Sequence, residues 1–511
     1  MTDELKHECG VAAVYCLDGA PEAARYLPDI LTHLQNRGQL SAGMTTYSEG
    51  RDQLIDTHKD IGSVHEVFRL GHAAEGEALM RRYHGSAAIG HVRYATCGPD
   101  DPSYAQPFER HHGRKWKWFS FGFNGNLANY RQLKERLTQK SDYHITRDTD
   151  TEIINHYLSY ELRGARRPSL QNVFHNLSHT FDGAYNICYL DALGQMAVVR
   201  DPLGIRPLCY AYNDKLFVAA SESPALSTLG FDSVKSLAPG TMALVSNGKV
   251  RIVRYEQSPR KAHCFFEWIY FANAGSVLDD RSVYLARGNL GRELAALETE
   301  DTTDAVVVPV PDTAKPAADA MAFALGIPSV EGLLRNRYVG RTFIETSDRA
   351  AKARQKYSPL REVLEGRKVL LVEDSVVRCT TLHALIDQLR TRGGAKEIHI
   401  RVASPPILAP CFYGIDMSSV GELWAREFIR EPVRGPLPRK ARNRLAKSVG
   451  ADSFFYLPIE AIPRCLDLDE KDLCMACLTA KYPTPHGNRM YLAALDLYRK
   501  GVQGRAHEVA R

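Results

Sequence analysis

The sequence predicts an α+β unit followed by an α/β unit with a mainly parallel sheet. Three observations predict it. Up to about residue 255 short strand-length apolar runs dominate, with few helical patterns between them. Beyond about residue 275 strands alternate with helices, the order that places strands side by side and parallel. One of those later strands ends in two adjacent carboxylates, Glu373 and Asp374, where an open α/β sheet holds its ligand.

In the first unit, strands are expected at 87–94, 119–123, 184–190, 196–199 and 216–220. Residues 242–253 read as a hairpin, because Asn247-Gly248 between two apolar runs suits a turn needing positive φ. Residues 151–162 read as a helix, with Ile153, Ile154, Tyr157, Leu158 and Glu161 at the spacing of one face. In the second unit a strand at 305–308 precedes a helix at 317–325 closed by Gly326, and a strand at 369–372 precedes a helix at 380–392. Leu382, Leu385, Ile386 and Leu389 form the stripe of that helix, Gly393-Gly394 stops it, and Ile398, Ile400 and Val402 alternate as the next strand. The tail after Gly501 is polar.

A chain of 511 residues with 44% hydrophobic and 24% charged residues forms more than one packed core and is not disordered. Its net charge of +5 is too small for the footprint of a nucleic-acid binder. Eleven cysteines, an odd and scattered set, argue against a secreted disulfide framework. Residues 1–8 lack the apolar core of a signal peptide, and no apolar run is long enough to span a membrane, so a cytoplasmic protein is expected.

Three groups of residues carry chemistry. Cys9 opens the apolar run Gly10-Val11-Ala12-Ala13-Val14-Tyr15. Removal of residues 1–8 as a propeptide would give that thiol a free α-amine on the same residue, with a pKa of roughly 7.7 to 8, able to take the thiol proton. Alone, such a cysteine is more often a small buried hydrophobe. In Val369 through Thr381 a buried strand delivers Glu373 and Asp374 to a turn that enters a helix. The free N–H groups there suit a phosphate, with Ser375, Thr380 and Thr381 as further donors. The plainer alternative is a helix start capped by threonine. Finally, Cys474-Met475-Ala476-Cys477 has metal-type spacing and is joined by the isolated Cys264 and Cys411. An iron–sulfur cluster, a zinc site, redox chemistry and buried thiols all remain open on spacing alone.

The 373–381 stretch resembles the phosphoribosyl-diphosphate motif of type I phosphoribosyltransferases, and its flanks resemble the amidophosphoribosyltransferase family. The resemblance runs from residue 9 to about residue 485. It is carried by Cys9-Gly10-Val11, Asn36-Arg37-Gly38-Gln39, Gly90-His91-Val92-Arg93-Tyr94, Asn124-Gly125-Asn126-Leu127, Asp150-Thr151-Glu152 and Ala220-Ser221-Glu222-Ser223. In the second half Val308-Pro309-Val310-Pro311-Asp312-Thr313 and Asn336 through Ile344 continue it.

The resemblance implies an N-terminal-nucleophile, class II glutamine amidotransferase domain over 9–255, with antiparallel sheets sandwiched between helices. It implies a type I phosphoribosyltransferase domain over 275–440, and a segment over 441–511 that completes a metal site and packs on the others. Glutamine, phosphoribosyl diphosphate and water would yield 5-phosphoribosylamine, glutamate and diphosphate, opening purine synthesis. Cys9 would be the nucleophile, Asn124 and Gly125 the oxyanion hole, and Arg93, Tyr94 and Asp150 the glutamine contacts. Thr313, Glu373 and Asp374 would attend Mg²⁺ and ribose, while Arg341, Arg354 and Lys356 with Ser375, Thr380 and Thr381 would hold the phosphates. Cys264, Cys411, Cys474 and Cys477 would bind a 4Fe-4S cluster, as in the processed subgroup whose short leader this chain shares. A homotetramer and feedback by purine nucleotides are also implied.

Some positions depart from the family pattern. Glu373 replaces the usual Asp, Cys379 stands where glycine is usual, and Asn36, Leu40 and Phe123 differ at positions expected to be supporting. A different glutamine amidotransferase would share only the first half. A phosphoribosyl-diphosphate-binding regulator would have no use for Cys9, Arg93 and Asp150.

Overall fold

The computed structural model describes residues 9–94, 101–139, 143–336, 356–417 and 419–502. Arg341 and Arg354 lie outside the described residues, as does the leader at 1–8.

Two antiparallel sheets form the first half. One holds seven strands in the order Lys235–Ser236, Cys209–Tyr212, Leu216–Ala220, Gly10–Cys16, Ala87–Arg93, Ser41–Tyr47 and Ile55–Ile61. The other holds six, in the order Lys249–Arg254, Thr241–Ser246, Met196–Arg200, Gly183–Asp191, Phe119–Leu127 and Phe108–Arg110. The two-residue period of a strand explains the layering. Val11, Ala13 and Tyr15 pack with Cys188, Leu190, Met196 and Val198 of the facing sheet. Ala12, Val14 and Cys16 point the other way, onto Leu27, Ile30 and Leu31 of the helix Ala23–His33. Phe119, Phe121 and Phe123 line the outer face of the second sheet under Ile153, Ile154, Leu158 and Phe174, from the helices Asp150–Glu161 and Leu170–Ser178. The result is two sheets sandwiched between helices. The expected hairpin turn is present, with φ of 49° at Asn247 and 69° at Gly248.

In the second half Ala305–Pro309, Lys368–Glu373, Glu397–Val402 and Ser453–Tyr456 form a four-stranded sheet, each strand parallel to its neighbour. Its strands are buried on both faces: Val307, Leu370 and Val372 belong to one core, Val306, Val308, Val369 and Leu371 to the other. The last strand lies within 441–511 and extends the parallel sheet, and the helix Arg439–Val449 that leads into it spans residue 440.

Between the halves, residues Glu267–Phe271 form one turn of π-helix. Such a turn leaves carbonyls without their usual partners. Arg287 of the helix Val283–Ala296 supplies them, donating to the carbonyl oxygens of Trp268 at 2.8 Å, Tyr270 at 3.1 Å and Ala272 at 2.8 Å. Among the described residues no helix is long and apolar enough to cross a membrane.

Candidate functional site

Cys9 lies at the mouth of the strand Gly10–Cys16, and its Sγ is 3.9 Å from the carbonyl oxygen of Tyr94. It shares a cavity with Arg93, Tyr94, Gly125 and Asp150, all expected from the sequence. Tyr104, Gln106 and Phe123 also line it. Phe123 is therefore a wall of the cavity. Gln106 was not foreseen; its Oε1 accepts from the Phe123 N–H at 2.8 Å and so fixes that wall. Loss of hydration raises the thiol pKa, Arg93 opposes the rise and Asp150 adds to it. An uncharged thiol needs a base before it can attack.

Asp150 begins the helix Asp150–Glu161, whose N-cap Thr149 accepts from the Glu152 N–H. Burial raises its carboxyl pKa to about 6, with backbone hydrogen bonds at Leu127 and Thr151 opposing. Asn126 Nδ2 donates to Oδ2 at 3.2 Å. A partly buried carboxylate in one cavity with Arg93 forms a dipolar pair of groups, matched to a ligand carrying both an ammonium and a carboxylate.

Asn124 and Gly125 sit in the strand Phe119–Leu127, Asn124 donating through Nδ2 to Ser221 Oγ at 3.3 Å. Gly125 has φ of 150°, and a Cβ there would come within 2.0 Å of the Ala184 carbonyl oxygen. Only glycine fits this approach. Gly38 is fixed for a related reason, since its Cβ would meet the Arg93 carbonyl carbon at 2.6 Å.

At the second site, the register pairing Pro309 with Val372 sets the two strand ends side by side, the turn carrying Thr313 following one and Glu373 and Asp374 closing the other. Asp374 is buried, accepts from Ser375 Oγ at 2.6 Å, and has its pKa raised to about 6 by burial, with Arg287 opposing. Burial lowers the Lys356 amine to about 8, and Glu373 raises it. Threonine capping does not account for the helix start. The N-cap of Thr380–Thr391 is Cys379, which makes no side-chain capping bond, and Thr380 is the first helical residue. Cys379 has φ of 68°, the left-handed region that explains why glycine is usual at this position.

The four cysteines converge although they are far apart in sequence. Cys264 pairs with Cys474 in a short parallel ladder, and both line one cavity with Cys411, Cys477, Arg206 and Tyr413. Burial raises the thiol pKa values of Cys264 and Cys477, and that of Cys474 to about 12. The Tyr413 N–H donates to Cys411 Sγ at 3.4 Å.

Sequence reading also missed a buried ionic network. Arg37 pairs with Glu222 and, at 2.7 Å, with Glu267, which in turn takes Arg206 at 3.0 Å. Glu222 Oε2 further accepts from the Asn273 N–H at 2.8 Å and Ser276 Oγ at 2.9 Å. Arg37 and Glu222 stood within recognised motifs, but spacing gives no sign that they meet.

Residues 91–228 match the family described as glutamine amidotransferase domain, and residues 284–404 match the phosphoribosyl transferase domain family. The amidophosphoribosyltransferase of Methanothermobacter thermautotrophicus is 38% identical over 491 residues, covering 94% of this chain and 96% of that protein. That of Bacillus subtilis is 35% identical, covering 94% of this chain and 95% of its own. The structure of the glutamine phosphoribosylpyrophosphate amidotransferase from Bacillus subtilis complexed with ADP and GMP superposes with a TM-score of 0.80 at 33% identity, covering 94% of this chain and 98% of that one.

Proposed function

Because the chain belongs to the amidophosphoribosyltransferase family, we propose a division of labour among its residues for the two half-reactions of that enzyme. The activity converts glutamine, phosphoribosyl diphosphate and water into 5-phosphoribosylamine, glutamate and diphosphate, the first step of purine biosynthesis. The observation that supports the division is the Cys9 cavity, where a thiol, an arginine, a partly buried carboxylate and an obligatory glycine meet.

Once residues 1–8 are removed, the Cys9 amine takes the thiol proton and Sγ attacks the side-chain amide carbon of glutamine. The Gly125 N–H and Asn124 hold the oxyanion, and the same amine returns a proton to the departing ammonia. Water then cleaves the thioester to glutamate. Arg93 binds the α-carboxylate and Asp150 the α-ammonium, with Tyr94 and Phe123 shaping the wall. In the second half Glu373 and Asp374 hold the ribose hydroxyls, Ser375, Thr380 and Thr381 the 5-phosphate, and Lys356 with Arg341 and Arg354 the diphosphate. Glu373, Asp374 and Thr313 also suit Mg²⁺, which prefers few carboxylates completed by substrate oxygens and would neutralise the leaving diphosphate. Ammonia displaces that diphosphate from C1 of the sugar.

Cys264, Cys411, Cys474 and Cys477 fit a 4Fe-4S cluster, whose role here is to join segments distant in sequence. Four thiolates on one zinc ion at about 2.3 Å would stand roughly 3.8 Å apart. The four thiols instead line one cavity between segments far apart in sequence, which suits the larger group. Purine nucleotides are the proposed feedback ligands, as the ADP and GMP in the Bacillus subtilis complex suggest. The apolar side chains of Phe323, Leu285 and Tyr284, all exposed, support assembly into a homotetramer, and the cytoplasm is the proposed compartment.

The test measures glutamate and diphosphate release with both substrates. Cys9→Ala should lose the glutamine-dependent reaction while still releasing diphosphate with ammonia. Active protein that retains residues 1–8 by mass spectrometry would refute the amine base. Anaerobically prepared protein lacking iron would refute the cluster.

A further inference from the structure

We propose that His175, His179 and Glu256 form a binding site for a divalent transition-metal ion, on the outer face of the antiparallel half and separate from both catalytic sites. His175 lies in the helix Leu170–Ser178 and His179 is its C-cap, so the two imidazoles stand one turn apart on one side. Glu256 follows the strand Lys249–Arg254 and reaches them from the sheet. His175 Nδ1 and His179 Nε2 each lie 3.0 Å from the same carboxylate oxygen, Glu256 Oε2. The three ligand atoms fall within 4.8 Å of one another, and the rings stand 4.7 Å apart at 85°.

The carboxylate is held in place. Its Oε1 accepts from the Gln257 N–H at 2.8 Å, and its Oε2 from Ser178 Oγ at 3.2 Å. A carboxylate held by hydrogen bonds thus faces two exposed imidazoles at the carboxyl end of a helix, where the backbone dipole favours a cation. Up to three donors crowd one oxygen, and His175 Nδ1 is also 3.1 Å from the Tyr255 carbonyl oxygen. One cation replaces that crowding with bonds to all three side chains.

Two nitrogens and one oxygen suit zinc, nickel or copper better than magnesium, and leave a coordination position for water. The ion would pin the end of this helix to the residue from which the chain leaves the sheet toward Cys264.

Zinc titration calorimetry on cluster-loaded holoenzyme tests this, with wild type compared to the pair His175→Ala/His179→Ala and to His179→Cys. Wild type should bind one more zinc ion per chain than the double variant, or bind it more than about tenfold tighter, since even outer-sphere changes cost that much. His179→Cys, which keeps a ligand, should retain the ion. Glutamine-dependent activity should match wild type in both variants, showing that they fold. Zinc-soaked crystals should give an anomalous peak between the three side chains. Equal stoichiometry and affinity in wild type and double variant, or no peak there, would overturn the proposal.

Discussion

Arg206 donates to the carbonyl oxygen of Tyr413 from Nε at 3.0 Å and from a terminal nitrogen at 2.8 Å, tying the antiparallel half to the loop that carries Cys411. The same guanidinium pairs with buried Glu267 and lines the cysteine cavity. Its charge also favours thiolates at Cys264 and Cys474. Arg206→Met should therefore leave Glu267 short of a partner and cost about 3–5 kcal/mol. Denaturant unfolding would measure the loss, and iron content should fall with it.

Asn124→Ala removes a donor proposed above to face the developing negative charge. Glutamine-dependent turnover should fall about 10²- to 10³-fold, with ammonia-dependent diphosphate release retained. Steady-state assays with each nitrogen source separate the two.

The pH dependence of glutamine use follows from Asp150. Burial raises its folded pKa from 3.8 to about 6, so between those values the folded state holds the extra proton. Stability contributed by this group is present below the unfolded pKa and lost as pH rises through the folded one. Binding an ammonium requires the opposite, ionised form. The kcat/KM for glutamine should fall as pH drops through about 6, and Asp150→Asn should be low throughout without that titration.

Cys379 holds a left-handed backbone with a buried side chain. Cys379→Gly and Cys379→Ala both lose the thiol, but only glycine relieves the backbone. The glycine variant should be the more stable of the two by about 1–2 kcal/mol, read from thermal or denaturant unfolding.

Much of this molecule is local in origin. The alternation of Val11, Ala13 and Tyr15 with Ala12, Val14 and Cys16 assigns two faces to one strand before any partner is known. Asn247-Gly248 specifies its turn, and the helix stripe of Leu382, Leu385, Ile386 and Leu389 specifies its buried side. The residues proposed for catalysis were legible for a similar reason, since Cys9, Asn124, Gly125 and the acidic pair sit in short motifs whose order along the chain carries information.

By itself, then, the sequence determined the strand and helix periods, the two-part architecture and the residue types of both sites, because each depends on neighbours a few positions away. Tertiary structure alone decided which distant groups meet. It placed Ser453–Tyr456 in the parallel sheet, closed Cys264, Cys411, Cys474 and Cys477 around one cavity, and made Phe123 a wall of another. It also built the Arg37, Glu222, Glu267 and Arg206 network and raised the pKa of Asp150. Burial and charge pairing depend on distance through space, and that distance exists only once the sheets have packed.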